Sequence, residues 1–144
     1  MKTQRRRQLG EILIAHGIIT PNELAQALEA QKADGRRLGE SLSRIGVSAR
    51  HIAKALSEQL GLPLVHVSEL VLAPEAMHAL PESLAKRHQA IPIKITQSRI
   101  TVALVDPLDA EAIDEISRVT RRRVDVMVTS WDDFDAAIRR YSAR

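Results

Sequence analysis

The first 59 residues carry one pattern twice, so the chain must pack two similar copies against each other or stack them in a row. Leu9-Gly10-Glu11, Leu13 and Gly17 recur 29 positions later as Leu38-Gly39-Glu40, Leu42 and Gly46. Leu24, Ala27-Leu28 and Gln31 recur 28 positions later as Ile52, Ala55-Leu56 and Gln59, so one residue is lost between Gly46 and Ile52. Two copies are too few for a solenoid, whose units bury their faces only when several stack. The repeats, residues 8–31 and 37–59, therefore predict a pseudo-symmetric pair of about four helices.

Each copy reads as a short helix, a turn and a second helix. In the first, Gly17 supplies a left-handed stop, Thr20 caps the next helix, Pro21 suits its first position and Glu23 completes a capping box. In the second, Ser48 serves as cap, with Ala49 in place of proline and His51 where the glutamate would be. Leu24, Leu28 and the alanines between them form one apolar stripe; Ile52, Leu56 and Leu60 form the other.

All six glycines precede residue 62 and five of six prolines follow it, which sets a boundary near Gly61-Leu62-Pro63 between a helical part (1–62) and a second part (63–144). There the period changes. Pro63 to Val67 reads as a short strand, Pro74 to His88 as one or two helices, and Ala90 to Thr96 with Arg99 to Val105 as a hairpin turning at Gln97-Ser98. Asp109 caps a helix to about Thr120, Arg123 to Thr129 is a strand, and Ser130 caps a closing helix from Trp131 to Tyr141. The predicted class is α+β: the duplicated helical pair packed on a small α/β unit of three or four strands.

Several chemistries are excluded. Without cysteine there are no disulfides, thiolate metal sites or cysteine nucleophiles. No G-x-x-x-x-G-K-[ST] segment cradles phosphates, no G-x-G-x-x-G binds a dinucleotide, and no G-x-S-x-G presents a nucleophile. His16, His51, His66, His78 and His88 lack metal-ligand spacing. Asp106, Asp109, Glu111, Asp114 and Glu115 crowd the start of one helix, where they complement its dipole. The reading is of a non-enzyme with neither catalytic nor metal residues and no bound cofactor.

The basic start, Lys2 and Arg5 to Arg7, is followed by an apolar stretch interrupted by His16 and Gly17, which argues against a signal peptide. No run of eighteen apolar residues spans a membrane, so a soluble, cytoplasmic chain is expected. Residues 1–62 hold ten Lys/Arg against six Asp/Glu, residues 63–144 eleven against twelve, so an anionic partner is expected at the first half. Nucleic acid is a minor alternative: one Trp, one Tyr and one Phe, all near the end, provide no stacking platform, and the helices after Thr20 and Ser48 show few basic residues.

The doubled (R)-L-G-x-x-L-x-x-x-G…L-x-x-A-L-x-x-Q pattern, with Leu60-Gly61-Leu62-Pro63 after it, resembles the N-terminal domain of type II secretion and type IV pilus assembly ATPases. So do Ile100 to Asp109, with its aspartate-proline turn, and Ala112-Ile113-Asp114-Glu115-Ile116. Many such domains, called MshEN domains, bind cyclic di-GMP, one half of the two-fold ligand per repeat. The resemblance implies a regulatory module with cyclic di-GMP as ligand, or an adaptor of the same fold that docks a secretion ATPase onto its membrane-anchored platform. Its location would then be cytoplasmic, peripheral to the inner membrane through that partner.

Carried over by position, the implied ligand residues of copy one are Leu9, Gly10, Leu13, Gly17, Leu24, Leu28 and Gln31, with Gln8 where the pattern has arginine. Copy two supplies Arg37, Leu38, Gly39, Leu42, Gly46, Leu56 and Gln59. Gln8 keeps donor and acceptor atoms but lacks the charge and planar fork of arginine. The residue lost after Gly46 would, if uncorrected, turn Ile52, Leu56 and Gln59 by about one-quarter of a helical turn.

Overall fold

The computed structural model describes residues 13–15, 17–34, 41–42, 46 and 48–142. Residues 13–15 are helical and end in a Schellman turn. The amide of Ile18 donates to the carbonyl of Leu13 at 2.9 Å and that of Gly17 to Ile14 at 3.0 Å. This geometry needs a left-handed residue at the turn, and Gly17 supplies it with φ of 68°. Helix α1 (Pro21–Asp34) then starts from the expected capping box: Glu23 N donates to Thr20 Oγ1 at 3.0 Å and Thr20 N to Glu23 Oε1 at 2.8 Å.

In the second copy Gly46 is also left-handed, with φ of 93°, and the Ser48 hydroxyl accepts from His51 N at 3.3 Å to cap α2 (Ala49–Leu60). Two residues separate Gly17 from its cap and one separates Gly46 from its own, so the missing residue falls in the turn, ahead of the helix. Thr20, Leu28 and Gln31 stand the same 28 positions from Ser48, Leu56 and Gln59, so the spacing from cap to helix residues is the same in both copies.

Residues 63–67 depart from expectation. In place of a strand there is one parallel bridge, Leu64 to Val128, closed by Val65 N to Val128 O at 2.9 Å and Val128 N to Pro63 O at 2.8 Å. Pro63 has no amide to continue the ladder, and a 3-10 turn at Val67–Glu69 bends the chain away immediately afterwards. Two short helices follow, α3 (Pro74–Ala79) and α4 (Glu82–His88).

The sheet has three strands in the order β1-β2-β3: β1 (Ala90–Ile95), β2 (Arg99–Leu104) and β3 (Arg123–Val128). β1 and β2 form the expected hairpin, from Ile95 opposite Ile100 to Ala90 opposite Leu104, with an irregularity between Pro92 and Lys94. Helix α5 (Ala110–Thr120) crosses over to β3, which lies parallel to β2 with Arg99 beside Arg123 and Leu104 beside Val128. Helix α6 (Trp131–Ser142) closes the fold.

Two apolar clusters result. One joins β1 and β2 to α3, α4, α5 and α6 around Leu80, Ile91, Val102, Ile116 and Phe134; Tyr141 is buried there and donates to the Met77 carbonyl at 2.6 Å. The other gathers Leu13, Ile19, Ala27, Leu42, Ile52 and Leu56 from both repeats and is completed by Val128 and Trp131. Helix α2 packs on β3 and α6, so it is the inner helix of the pair.

Candidate functional site

Of the residues implied as ligand contacts, Leu13, Leu42 and Leu56 are core members, exposed by 2% or less. They join both copies in one apolar cluster. Leu24 and Leu28 are half-buried at the margin of the same cluster on α1, while Gln59 is exposed on α2. Gln31 lies within α1. Gln8, Leu9, Gly10, Arg37, Leu38 and Gly39 lie outside the described residues.

The acidic run after β2 is structural. Asp106 Oδ1 accepts from Leu108 N at 3.0 Å in an Asx turn, and Asp109 Oδ1 accepts from Ala112 N at 3.1 Å as the cap of α5. Glu115 faces His88, 2.5 Å from its Nε2, with Arg87 and Arg118 beyond. The hydrogen bond with His88 holds the Glu115 carboxyl below its ordinary value despite some desolvation.

A polar centre that sequence reasoning missed ties the repeats to the rest. Asp133, 3% exposed in the first turn of α6, accepts a side-on fork from Arg50 of α2: Nη2 to Oδ1 at 2.8 Å and Nε to Oδ2 at 3.1 Å. The Ser68 hydroxyl donates to Oδ1 and the Ser130 hydroxyl to Oδ2 at 2.7 Å, while Arg50 Nη2 also reaches Glu69 at 3.1 Å. Burial alone would raise the Asp133 carboxyl. The hydrogen bonds from Arg50, Ser68 and Ser130 outweigh it and hold the group well below the usual carboxylate range. Arg50, bonded first to Asp133 and then to Glu69, is held above its ordinary value. Ser130-x-x-Asp133 is legible as a helix start, but residues 50 and 68 are 83 and 65 positions away and carry no local signal.

The sequence model of the MshEN domain matches residues 60–144. The chain belongs to the MshEN domain family. It is 28% identical to the type IV pilus assembly ATPase PilB of Myxococcus xanthus and 30% identical to PilB of Thermus thermophilus. Each alignment covers 94% of the chain but only 24% and 16% of the respective ATPase, so the chain spans a quarter or less of these relatives. A solved structure of MshE with cdg superposes with a TM-score of 0.69 at 30% identity, covering 92% of this chain and 97% of that one. The N-terminal domain of XpsE superposes with a TM-score of 0.74 at 24% identity, covering 94% of each, and shares the fold.

The α+β architecture is thus that of MshEN domains. Among the described residues, no helix is long and apolar enough to cross a membrane. In this MshEN domain Arg50 and Asp133 connect the repeat pair to the part matched by the family model.

Proposed function

We propose that this MshEN domain is a regulatory module that binds cyclic di-GMP across its two repeats and belongs to a secretion or pilus ATPase system. The observation that carries the reading is the preserved duplication: both repeat glycines are left-handed, and the helices after them are capped at equivalent positions. A ligand with two equivalent guanine halves is matched by a protein that presents one turn twice. The half-buried Leu24 and Leu28 can cover base and sugar surfaces, while Gln31, Gln59 and Arg37 offer hydrogen bonds to guanine edges. Similarity to the structure of MshE with cdg supports the ligand class. The module itself carries out no catalysis in this reading. It works in the cytoplasm, with an ATPase domain or its membrane-anchored platform as partner.

Gln8 in place of arginine favours a second reading, an adaptor of the same fold that keeps the packing and has no ligand. Calorimetric titration of the 144-residue chain with cyclic di-GMP separates the two. Binding that weakens by roughly 1–3 kcal/mol in Arg37→Ala, the scale of one bidentate base contact, supports the ligand reading. No heat of binding in the wild type overturns it.

A further inference from the structure

The sheet has two unlike ends. Val128, at the finish of β3, joins the apolar cluster of the repeats, whereas the start of β2 and β3, the turn at residues 96–98 and the end of α5 form the opposite pole. That pole collects Lys94, Arg99, Arg118, Arg121, Arg122 and Arg123. Asp125, 2.7 Å from Arg99, is the acidic side chain among them; Arg118 reaches Glu115 only at 3.7 Å, and that carboxylate is shared with His88. Lys94, Arg121 and Arg123 are exposed and form no ion pair among the described residues. Hydrogen bonds tie the pole together: Arg122 donates to the carbonyls of Thr96 at 2.7 Å and Thr120 at 2.9 Å, and Arg123 N donates to Ser98 O at 3.0 Å. Arg121 occupies a left-handed corner, φ 56° and ψ 41°, where glycine would be unstrained. Val119, 42% exposed, stands beside these cations.

We infer that this pole is a docking surface for an anionic phospholipid bilayer. The exposed Arg99, Arg118, Arg121 and Arg123, at the ends of β2, α5 and β3, present guanidinium groups together on one side of the fold. Arginine forks match phosphate oxygens, and a flat polyanion requires no further complementarity of shape. A nucleic-acid duplex fits less well: α5 lies packed on the sheet and presents no free helix to a groove. Single strands lack a platform, because Trp131, Phe134 and Tyr141 are all buried. Docked by this pole, the domain holds its repeats away from the bilayer.

The test is co-sedimentation of the 144-residue chain with phosphatidylcholine–phosphatidylglycerol vesicles and with pure phosphatidylcholine. The chain should bind the mixed vesicles in a salt-sensitive way and ignore the neutral ones. At about 1 kcal/mol, or fivefold, per arginine, the triple variant Arg118→Gln, Arg121→Gln, Arg123→Gln should bind roughly a hundredfold more weakly. Circular dichroism checks its fold; if the triple variant does not fold, Arg123→Gln alone should lose about fivefold. Because Arg5, Arg6 and Arg7 are a second basic run, a variant with all three changed to glutamine must retain binding. Equal binding to neutral vesicles, no binding to either, an unaffected pole variant, or loss only in the Arg5–Arg7 variant overturns the inference. So does tighter binding to duplex DNA through the same pole.

Discussion

Replacing Asp133 with alanine tests the polar centre between the repeats and α6. Its carboxylate is 3% exposed and accepts from the Arg50 fork, Ser68 and Ser130. Hydrogen bonds to a charged group contribute about 1.5–3 kcal/mol each, but they do not add, and removal of Asp133 also removes its desolvation cost. Arg50 is half exposed and regains water, so its share is discounted. The expected loss at neutral pH is about 2–3 kcal/mol. The pH dependence follows from the lowered carboxyl: its contribution is complete above the unfolded value of about 4 and is lost as pH falls below that toward the folded value. Urea unfolding across pH should therefore show a gap between wild type and Asp133→Ala that is flat above about pH 5 and narrows below about pH 4. A gap under about 0.5 kcal/mol at neutral pH would reduce the centre to an ordinary surface pair. A gap of full size that persists at about pH 2 would refute the ionised network, leaving only lost packing.

Three further outcomes are expected. If copy one contacts the ligand, Gln8→Arg should tighten cyclic di-GMP binding and make it more salt-sensitive, measured by titration at two ionic strengths; no change in a binding-competent protein removes Gln8 from the site. Gly17→Ala should lower stability by about 1–2 kcal/mol in thermal or urea unfolding, the whole cost being conformational because a Cβ there meets nothing within 4 Å. Arg121→Gly should go the other way and stabilise by about 0.5–1 kcal/mol, while removing one cation from the basic pole; a loss of stability would mean that the side chain of Arg121 offsets its backbone strain.

Local physics was the legible part of the fold. Thr20-x-x-Glu23, Ser48, Asp109 and Ser130 each act within three residues, so their caps could be placed before any tertiary contact was known. The hairpin at Gln97-Ser98 follows from two short apolar runs and a polar break. Residues 63–67 misled because an apolar run after proline looks the same whether it pairs along its length or, as here, only at Leu64. The candidate site was less legible for a related reason. Leucines at helical spacing mark an apolar face without saying which will be sealed, and Leu56 is sealed while its counterpart Leu28 is not, because β3 and α6 cover α2. Asp133 could be read as a helix start but not as the partner of Arg50, since long-range pairing leaves no trace in local period.

Val128 and Trp131 wall in the repeat cluster from a strand and helix that come almost seventy residues after the repeats end. A fragment cut at Leu62 would keep every residue of the duplication yet open one side of its interior to water. Anyone wishing to graft the repeats onto another host as a sensor should therefore move the strand and the closing helix with them. The duplication is the pattern the eye finds, but the transferable part is larger, extending at least through Trp131.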